Sequence, residues 1–260
     1  MSDLKDSSKL LVDILYGDNE TVEDLHMSVV PFSGRSNVKG HTEVHPASPP
    51  SSDYICLDMR AGDLSEDDTP PAGGPFGHFS TGEYTWENNS GQHKNRVCPE
   101  AEVTPLIQAK SAVKAAVDAM NAKGCTRYDI GTVWGWRNIS PSWRGVWTGS
   151  ASSLPLDYEE SDMEKAIIVM TDGENTPDCL QDSQSQAQTE AAFTRICDDM
   201  KANGIVVYTI TFQLEDPDTN DLFRDCASGA ARYFKSPSSD ALETAFTTIA
   251  NDLSTLRLSQ

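Results

Sequence analysis

The stretch Ala166-Ile167-Ile168-Val169-Met170-Thr171-Asp172-Gly173-Glu174-Asn175 decides how this chain is read. Its apolar run, Ala166 to Met170, predicts a strand buried on both faces, and such strands belong to parallel sheets covered by helices. The run stops at Thr-Asp-Gly, which throws the Asp172 carboxylate out at the strand's carboxyl end. In open α/β sheets that edge is where ligands bind, and a hard divalent cation takes oxygen ligands of this kind. The same residues also suit an ordinary turn after a core strand, so the chemistry stays open here.

Downstream, Ala187 to Met200 predicts an amphipathic helix closed by Asn203-Gly204, followed by a strand from Ile205 to Phe212. Asp221 to Ala227 predicts a short helix and Arg232 to Phe234 a short edge strand. Leu242, Ala245, Phe246, Ile249, Leu253 and Leu256 form the apolar stripe of a last helix. Upstream, Leu4, Leu11, Val12 and Leu15 predict a helix over 4–16 that Gly17 ends, and His26 to Phe32 predicts a short strand. Thr104-Pro105 has the chemistry of an N-cap and first turn. A helix is therefore expected from there, carrying Leu106, Val113, Val117 and Met120 and stopping near Gly124. A second helical segment runs from Asp129 to about Arg137. Strands alternating with helices imply an α/β fold, a doubly wound, mostly parallel sheet with helices on both faces.

The texture differs between about Ser33 and Val103, where Gly, Pro, Ser and Asp dominate and apolar periodicity fades. That is too long for a structureless connection inside a compact domain. It reads as a loop-rich insertion, 33–103, in a single domain over 1–260. The chain holds 6 cysteines: Cys56, Cys98, Cys125, Cys179, Cys197 and Cys226. They suggest disulfides in an oxidising compartment, although free buried thiols also suit them. Pairing neighbouring segments joins Cys56 to Cys98 and Cys197 to Cys226, which leaves Cys125 for Cys179.

The formal net charge of -20, from 40 acidic and 20 basic residues, argues against nucleic acid and against docking on anionic lipid. It is compatible with a cation, a basic partner or simple solubility. No apolar run approaches the ~20 residues of a membrane-spanning helix. Met1 to Asp6 lacks the basic start and apolar run of a signal peptide. The N-terminus thus points to the cytoplasm, while the cysteines point elsewhere.

Two loops offer oxygen ligands, one through Thr126 and one through Asp172, and together they suit magnesium or manganese. There is no GxSxG elbow and no P-loop, and no catalytic residue is assigned. The histidines, His26, His41, His45, His78 and His93, read as surface residues. Asp216 to Asn220 begins like a calcium loop but lacks its later glycine and glutamate, so it reads as a solvated strand-to-helix loop. Trp134, Trp136, Trp143 and Trp147 crowd one stretch with Arg137 and Arg144 between them. They suit a partner-binding surface or internal packing equally.

The motifs G-C-T-x-x-x-x-G (Gly124 to Gly131), W-G-W-R-x-x-S-P (Trp134 to Pro141), W-R-G-V-W (Trp143 to Trp147), L-P-L-D-Y (Leu154 to Tyr158) and V-M-T-D-G-E-N (Val169 to Asn175) come together in one known family. With Val30 to Gly34 and the ending Asn251 to Ser259, the chain resembles the von Willebrand factor type A domain of TadG-like proteins of the Tad/Flp pilus-assembly system. The resemblance implies a metal-ion-dependent adhesion site at the sheet's carboxyl edge. Thr126 would match its second ligand loop and Asp172 its third. The first loop, D-x-S/T-x-S after a central strand, would stand directly ahead of Met1, with a membrane anchor further upstream. The chain is thus expected to begin inside the domain and to bind metal weakly. The resemblance implies a non-enzymatic, metal-dependent protein-binding domain on the periplasmic or cell-surface side, engaging a protein partner through a carboxylate on the metal. A metal-dependent α/β hydrolase using Asp172, and a structural scaffold with a degenerate metal site, are the other two readings.

Overall fold

The fold is that of a computed structural model, which describes residues 1–45, 56–57, 59–77, 85–87, 93–95, 97–176 and 184–258. In chain order the elements are α1 (Ser2–Tyr16), β1 (Met27–Val29), β2 (Thr85–Glu87), β3 (His93–Asn95), β4 (Thr104–Ile107), α2 (Lys110–Ala119), α3 (Tyr128–Ile139), β5 (Ala166–Thr171), α4 (Gln186–Ala202), β6 (Val206–Phe212), α5 (Pro217–Cys226), β7 (Tyr233–Ser236) and α6 (Ser239–Leu258). Strands β5, β6 and β7 form a parallel sheet with β6 in the middle, β1 and β4 pair antiparallel, and β2 and β3 form a hairpin.

Helices cover both faces of the parallel sheet, as the alternation of elements predicts. Ile167, Val169 and Val207 point into a core with α3, α4 and α5 residues such as Val133, Phe193, Ile196 and Phe223. Tyr208, Ile210 and Phe212 point the other way, onto Leu11, Leu15, Val113, Phe246 and Ile249 of α1, α2 and α6. The helix ends follow local chemistry. Ser185 and Gln188 form a reciprocal capping box at α4, Asp216 accepts from the Thr219 N–H to cap α5, and Gly17, at φ 56°, closes α1. The 216–220 segment is thus the start of α5.

Several sequence expectations need correction. Thr104-Pro105 opens strand β4, and the helix begins only at Lys110 and ends at Ala119. The cap-like pair is overridden by tertiary pairing, because Met27 faces Ile107 and Val29 faces Thr104 across the β1–β4 ladder. Strand β5 is buried on one face only: Ile167, Val169 and Thr171 are buried, whereas Ala166, Ile168 and Met170 are half-buried. The physical reason is that β5 pairs with β6 on one side and borders an open cleft on the other. His41 is a core residue: its Nε2 sits 2.8 Å from the Val103 carbonyl and its ring meets Trp147 edge-on.

The disulfides Cys56–Cys98 and Cys197–Cys226 form as the spacing suggests. Cys125 is also disulfide-bonded, and its expected partner, Cys179, lies outside the described residues. Within the 33–103 segment, Val38, Val44, Leu57 and Phe76 are buried in the α3 core. Asn37 bridges both Cys56 and Glu102, tying the segment's two ends together.

The tryptophans settle as packing. Trp134, Trp136, Trp143 and Trp147 are all buried, with Trp143 stacked on Trp147 and Phe76 stacked on Trp134. Arg137 lies over Phe76 and Trp134 and donates to the carbonyls of Leu64, Ser65 and Asp67. Its burial pulls the guanidinium pKa down to about 9, so its charge is held by carbonyl dipoles in the aromatic cage. Arg144 turns outward to Pro155 O and Asp157.

Candidate metal site at the carboxyl rim

Strand β5 ends in a tight hydroxyl turn. The Thr171 Oγ1 donates to the Gly173 carbonyl at 2.7 Å and accepts from the Gly173 N–H at 3.2 Å. That turn leaves Asp172 exposed at the carboxyl rim.

The loop before α3 is stitched onto this turn. Thr126 N–H donates to Thr176 Oγ1 at 2.8 Å, and Thr176 N–H returns a bond to the Thr126 carbonyl at 2.9 Å. Two residues on, Tyr128 N–H donates to Asn175 Oδ1 at 3.1 Å, and Asn175 Nδ2 donates to Thr189 Oγ1 of α4 at 3.0 Å. Asn175 and Thr189 are buried, so three elements meet in a fixed frame. The Thr126 hydroxyl comes to rest over Gly173, where a Cβ would stand 3.6 Å from its Oγ1. Thr126 and Asp172 therefore occupy adjoining loops at one rim.

Beneath them lies a buried ion pair. Arg127 binds Asp129 through two bonds of 2.8 and 2.6 Å and reaches Gln184 Oε1 at 2.9 Å. Arg127 and Asp129 are 0% and 1% exposed. Such a pair serves to fix the loop's shape, since desolvation offsets much of its attraction. On the other side, Arg127 N–H donates to Ser33 O at 2.9 Å, which ties the 33–36 turn to the same loop. Phe32 packs on Gly131 so closely that a Cβ there would come within 2.4 Å of the ring. The glycine closing the G-C-T-x-x-x-x-G motif is thus a packing requirement.

Sequence reading names Thr126 and Asp172, which the structure brings to adjoining loops, and does not name the residues that hold those loops: Thr176, Asn175, Thr189, and the Arg127–Asp129 pair. Asn175 was in plain view as the last residue of V-M-T-D-G-E-N. Thr189 has no local signal, because its partner Asn175 stands outside its helix, on the loop after β5.

One hydroxyl and one carboxylate form an oxygen-only donor set, which suits a hard divalent cation. Among the described residues no group of three or more His, Cys, Asp or Glu could hold a metal. An octahedral ion bound to Thr126 and Asp172 would complete its shell with water or with a partner's oxygen.

No protein-family model and no curated protein matches the sequence. Solved structures do resemble the fold. The vWF domain of the type V pili tip protein Mfa5 from Porphyromonas gingivalis aligns with a TM-score of 0.54 at 9% identity, covering 97% of this chain and 88% of that one. The pilus adhesin SpaC from Lactobacillus rhamnosus GG aligns at 0.51 and 12% identity, over 97% of this chain and 28% of that one. Proximal thread matrix protein 1 from the mussel byssus, in the structure with a zinc-occupied MIDAS motif, aligns at 0.50 and 15% identity, over 96% and 41%. The chain thus spans less than half of the byssus protein and of SpaC. The parallel β5–β6–β7 sheet, its helices on both faces and these likenesses show that the chain has a von Willebrand factor type A-like α/β fold.

Proposed function

We propose that this chain is a metal-dependent protein-binding domain of the adhesion type, with Asp172 and Thr126 supplying oxygen ligands to Mg2+ or Mn2+. The observation that carries the reading is the seating of the Thr126 hydroxyl over Gly173, next to Asp172, at the rim where β5 ends. A cation held by so few protein oxygens has coordination positions left for a partner's carboxylate, which makes recognition of an acidic side chain the natural use of the site. The role is binding, without catalysis.

The finer reading follows the sequence motifs. The chain acts in Tad/Flp pilus assembly or surface anchoring, on the periplasmic or cell-surface side, as one domain in which 33–103 is an insertion. The disulfides support an oxidising compartment. The pilus proteins of similar fold support a surface role.

Titration of Mn2+ followed by electron paramagnetic resonance tests the site. Wild-type chain should bind weakly, Asp172→Ala should lower affinity by about tenfold or more, and Thr126→Val by less. Identical Mn2+ binding by Asp172→Ala and wild type would remove the proposal.

A further inference from the structure

A polar cavity of about 500 Å³ lies beside the loop that precedes α3. Three separate parts of the chain bring an arginine to its walls: Arg35 from the 33–36 turn, Arg60 from the 59–66 segment and Arg195 from α4. Asp63 and Glu66 are the acids on the same walls among the described residues. A chain of formal net charge -20 thus folds a local excess of one positive charge into a concave site.

The two inner arginines are buried and fixed. Arg35 and Arg60 are 6% and 7% exposed. Arg35 Nη1 donates to Gly34 O at 2.9 Å, and its backbone N–H donates to Val97 O at 2.8 Å. The Arg60 guanidinium lies 4.3 Å from the centre of the Phe76 ring. Its Nη1 donates to Gly74 O at 3.1 Å and its Nη2 to Asp67 Oδ1 at 3.5 Å. Its buried Nε has no hydrogen-bond partner among the described residues. A guanidinium carries five N–H donors, so Arg60 keeps part of its capacity in reserve. Burial pulls its pKa down, and Asp67 opposes that shift. Behind the same segment, Arg137 donates to the Leu64 and Ser65 carbonyls, and its own pKa is lowered by burial first and then by the Arg60 charge. A further anion near Arg60 would offset both the desolvation and this repulsion.

The third arginine stands at the lip. The Arg195 side chain is 57% exposed and holds Glu66 through bonds of 2.6 and 2.9 Å. Exposed ion pairs contribute little, so Arg195 can turn to an incoming anion at small cost.

The lining charge selects the class of anion. A carboxylate brings one negative charge and matches the excess of one, and the forked N–H groups of guanidinium fit its two oxygens. A phosphate monoester brings about −1.5 to −2 at pH 7 and would leave negative charge facing Asp63 and Glu66. The cavity also neighbours the candidate metal site. Arg127, next in sequence to Thr126, reaches Gln184 Oε1 at 2.9 Å and Met59 Sδ at 3.4 Å, and both of those residues line the cavity. A protein surface seated over Thr126 therefore extends toward the arginine lip.

We propose that this cavity is a carboxylate subsite that takes an Asp or Glu side chain of a protein partner, beside the rim bearing Thr126 and Asp172. The choice of a protein partner rests on the binding role proposed above, and the carboxylate chemistry rests on the arginines alone.

The test uses the full chain in EDTA, so that no divalent metal contributes. The probes are a capped, fluorescently labelled peptide, Gly-Ser-Glu-Glu-Ser-Gly, its counterpart with glutamine in place of both glutamates, and unlabelled glutarate as competitor. Fluorescence anisotropy reads binding. The glutamate peptide should bind about tenfold or more tightly than the glutamine peptide. Arg60→Gln should weaken it by about tenfold or more, and Arg195→Gln by a few-fold. Arg60 packs on Phe76, so circular dichroism checks the fold of its variant, and Arg195→Gln at the exposed lip carries the test should Arg60→Gln fail to fold. Glu66→Gln should tighten the glutamate peptide, because it removes a competing acid and releases Arg195. A merely structural Arg195–Glu66 pair predicts no such gain. Arg224→Gln, which removes an exposed arginine of α5 outside the cavity, should leave binding unchanged. No binding of the glutamate peptide, equal binding of both peptides, or equal weakening by Arg224→Gln and Arg195→Gln would overturn the proposal. Glutarate binding as tightly as the peptide would give the cavity to a free small acid and overturn the partner source. Asp172→Ala should leave peptide binding in EDTA intact, so failure of the metal site and failure of the carboxylate subsite are read separately.

Discussion

The two sides of α3 face different surroundings. Toward the 33–103 segment, Trp134 and Arg137 enter a cage in which rings stack and the polar atoms find partners: Trp143 donates to Asp68 O at 2.8 Å and Trp147 to Arg137 O at 3.0 Å. Toward β1 and β5, Thr132 and Gly135 look into the cleft, where apolar side chains stay half-buried and sheet edges run unpaired with each other. The difference shows where the folding free energy of this helix comes from. A loop-rich segment with little periodicity can close a core when aromatic area and hydrogen-bond partners arrive together. A strand with strong periodicity cannot close one while its edge faces open space.

That contrast is open to test. Trp143→Ala in the cage should cost about 3–5 kcal/mol, read by chemical denaturation, because it opens a cavity and orphans the Asp68 carbonyl. A loss below about 1 kcal/mol would mean the cage is not the stabilising side. Gly131→Ala, at the seam between α3 and the Phe32 turn, should cost about 1–3 kcal/mol through overpacking. Unchanged stability would show that the ring has room to move.

Lys165, at the mouth of the cleft, should give the smallest effect. Burial lowers its pKa from 10.5 to about 8, while its Nζ is held by Ile139 O and Leu156 O. The unfolded chain then binds more protons than the folded chain between those two values, so stability should rise with pH across that window. Below the lower value the burial penalty on the charged amine is fully present. Lys165→Met should flatten that rise relative to wild type in urea melts from about pH 8 to pH 10. Parallel pH profiles for the two proteins would mean the ammonium is as well solvated at this mouth as in the unfolded chain.

Much of the architecture was legible in local pattern. The apolar run before Thr171 and the run Ile205 to Phe212 could only be core strands, and the stripe through Leu242, Phe246, Ile249 and Leu253 could only be an amphipathic helix. The Cys56–Cys98 and Cys197–Cys226 pairs followed from joining neighbouring segments. At the rim, Thr126 and Asp172 were visible as oxygen donors on turns. Their supporting frame was not, because Asn175 to Thr189 and Arg127 to Gln184 join loops and helices far apart in sequence.

Composition and periodicity by themselves determined the layer order, the helix faces and the rim at which Asp172 emerges, since these depend on which side chains leave water and on a strand's repeat of two. Only the folded chain decided that Thr104-Pro105 opens a strand, that the tryptophans turn inward and that His41 is a core residue. A cap-like dipeptide, an aromatic ring and an imidazole each suit several environments nearly equally well. The choice among them comes from partners that are distant in sequence: the β1 edge for Thr104 and Ile107, the 64–76 segment for Trp134 and Trp143, and the Val103 carbonyl for His41.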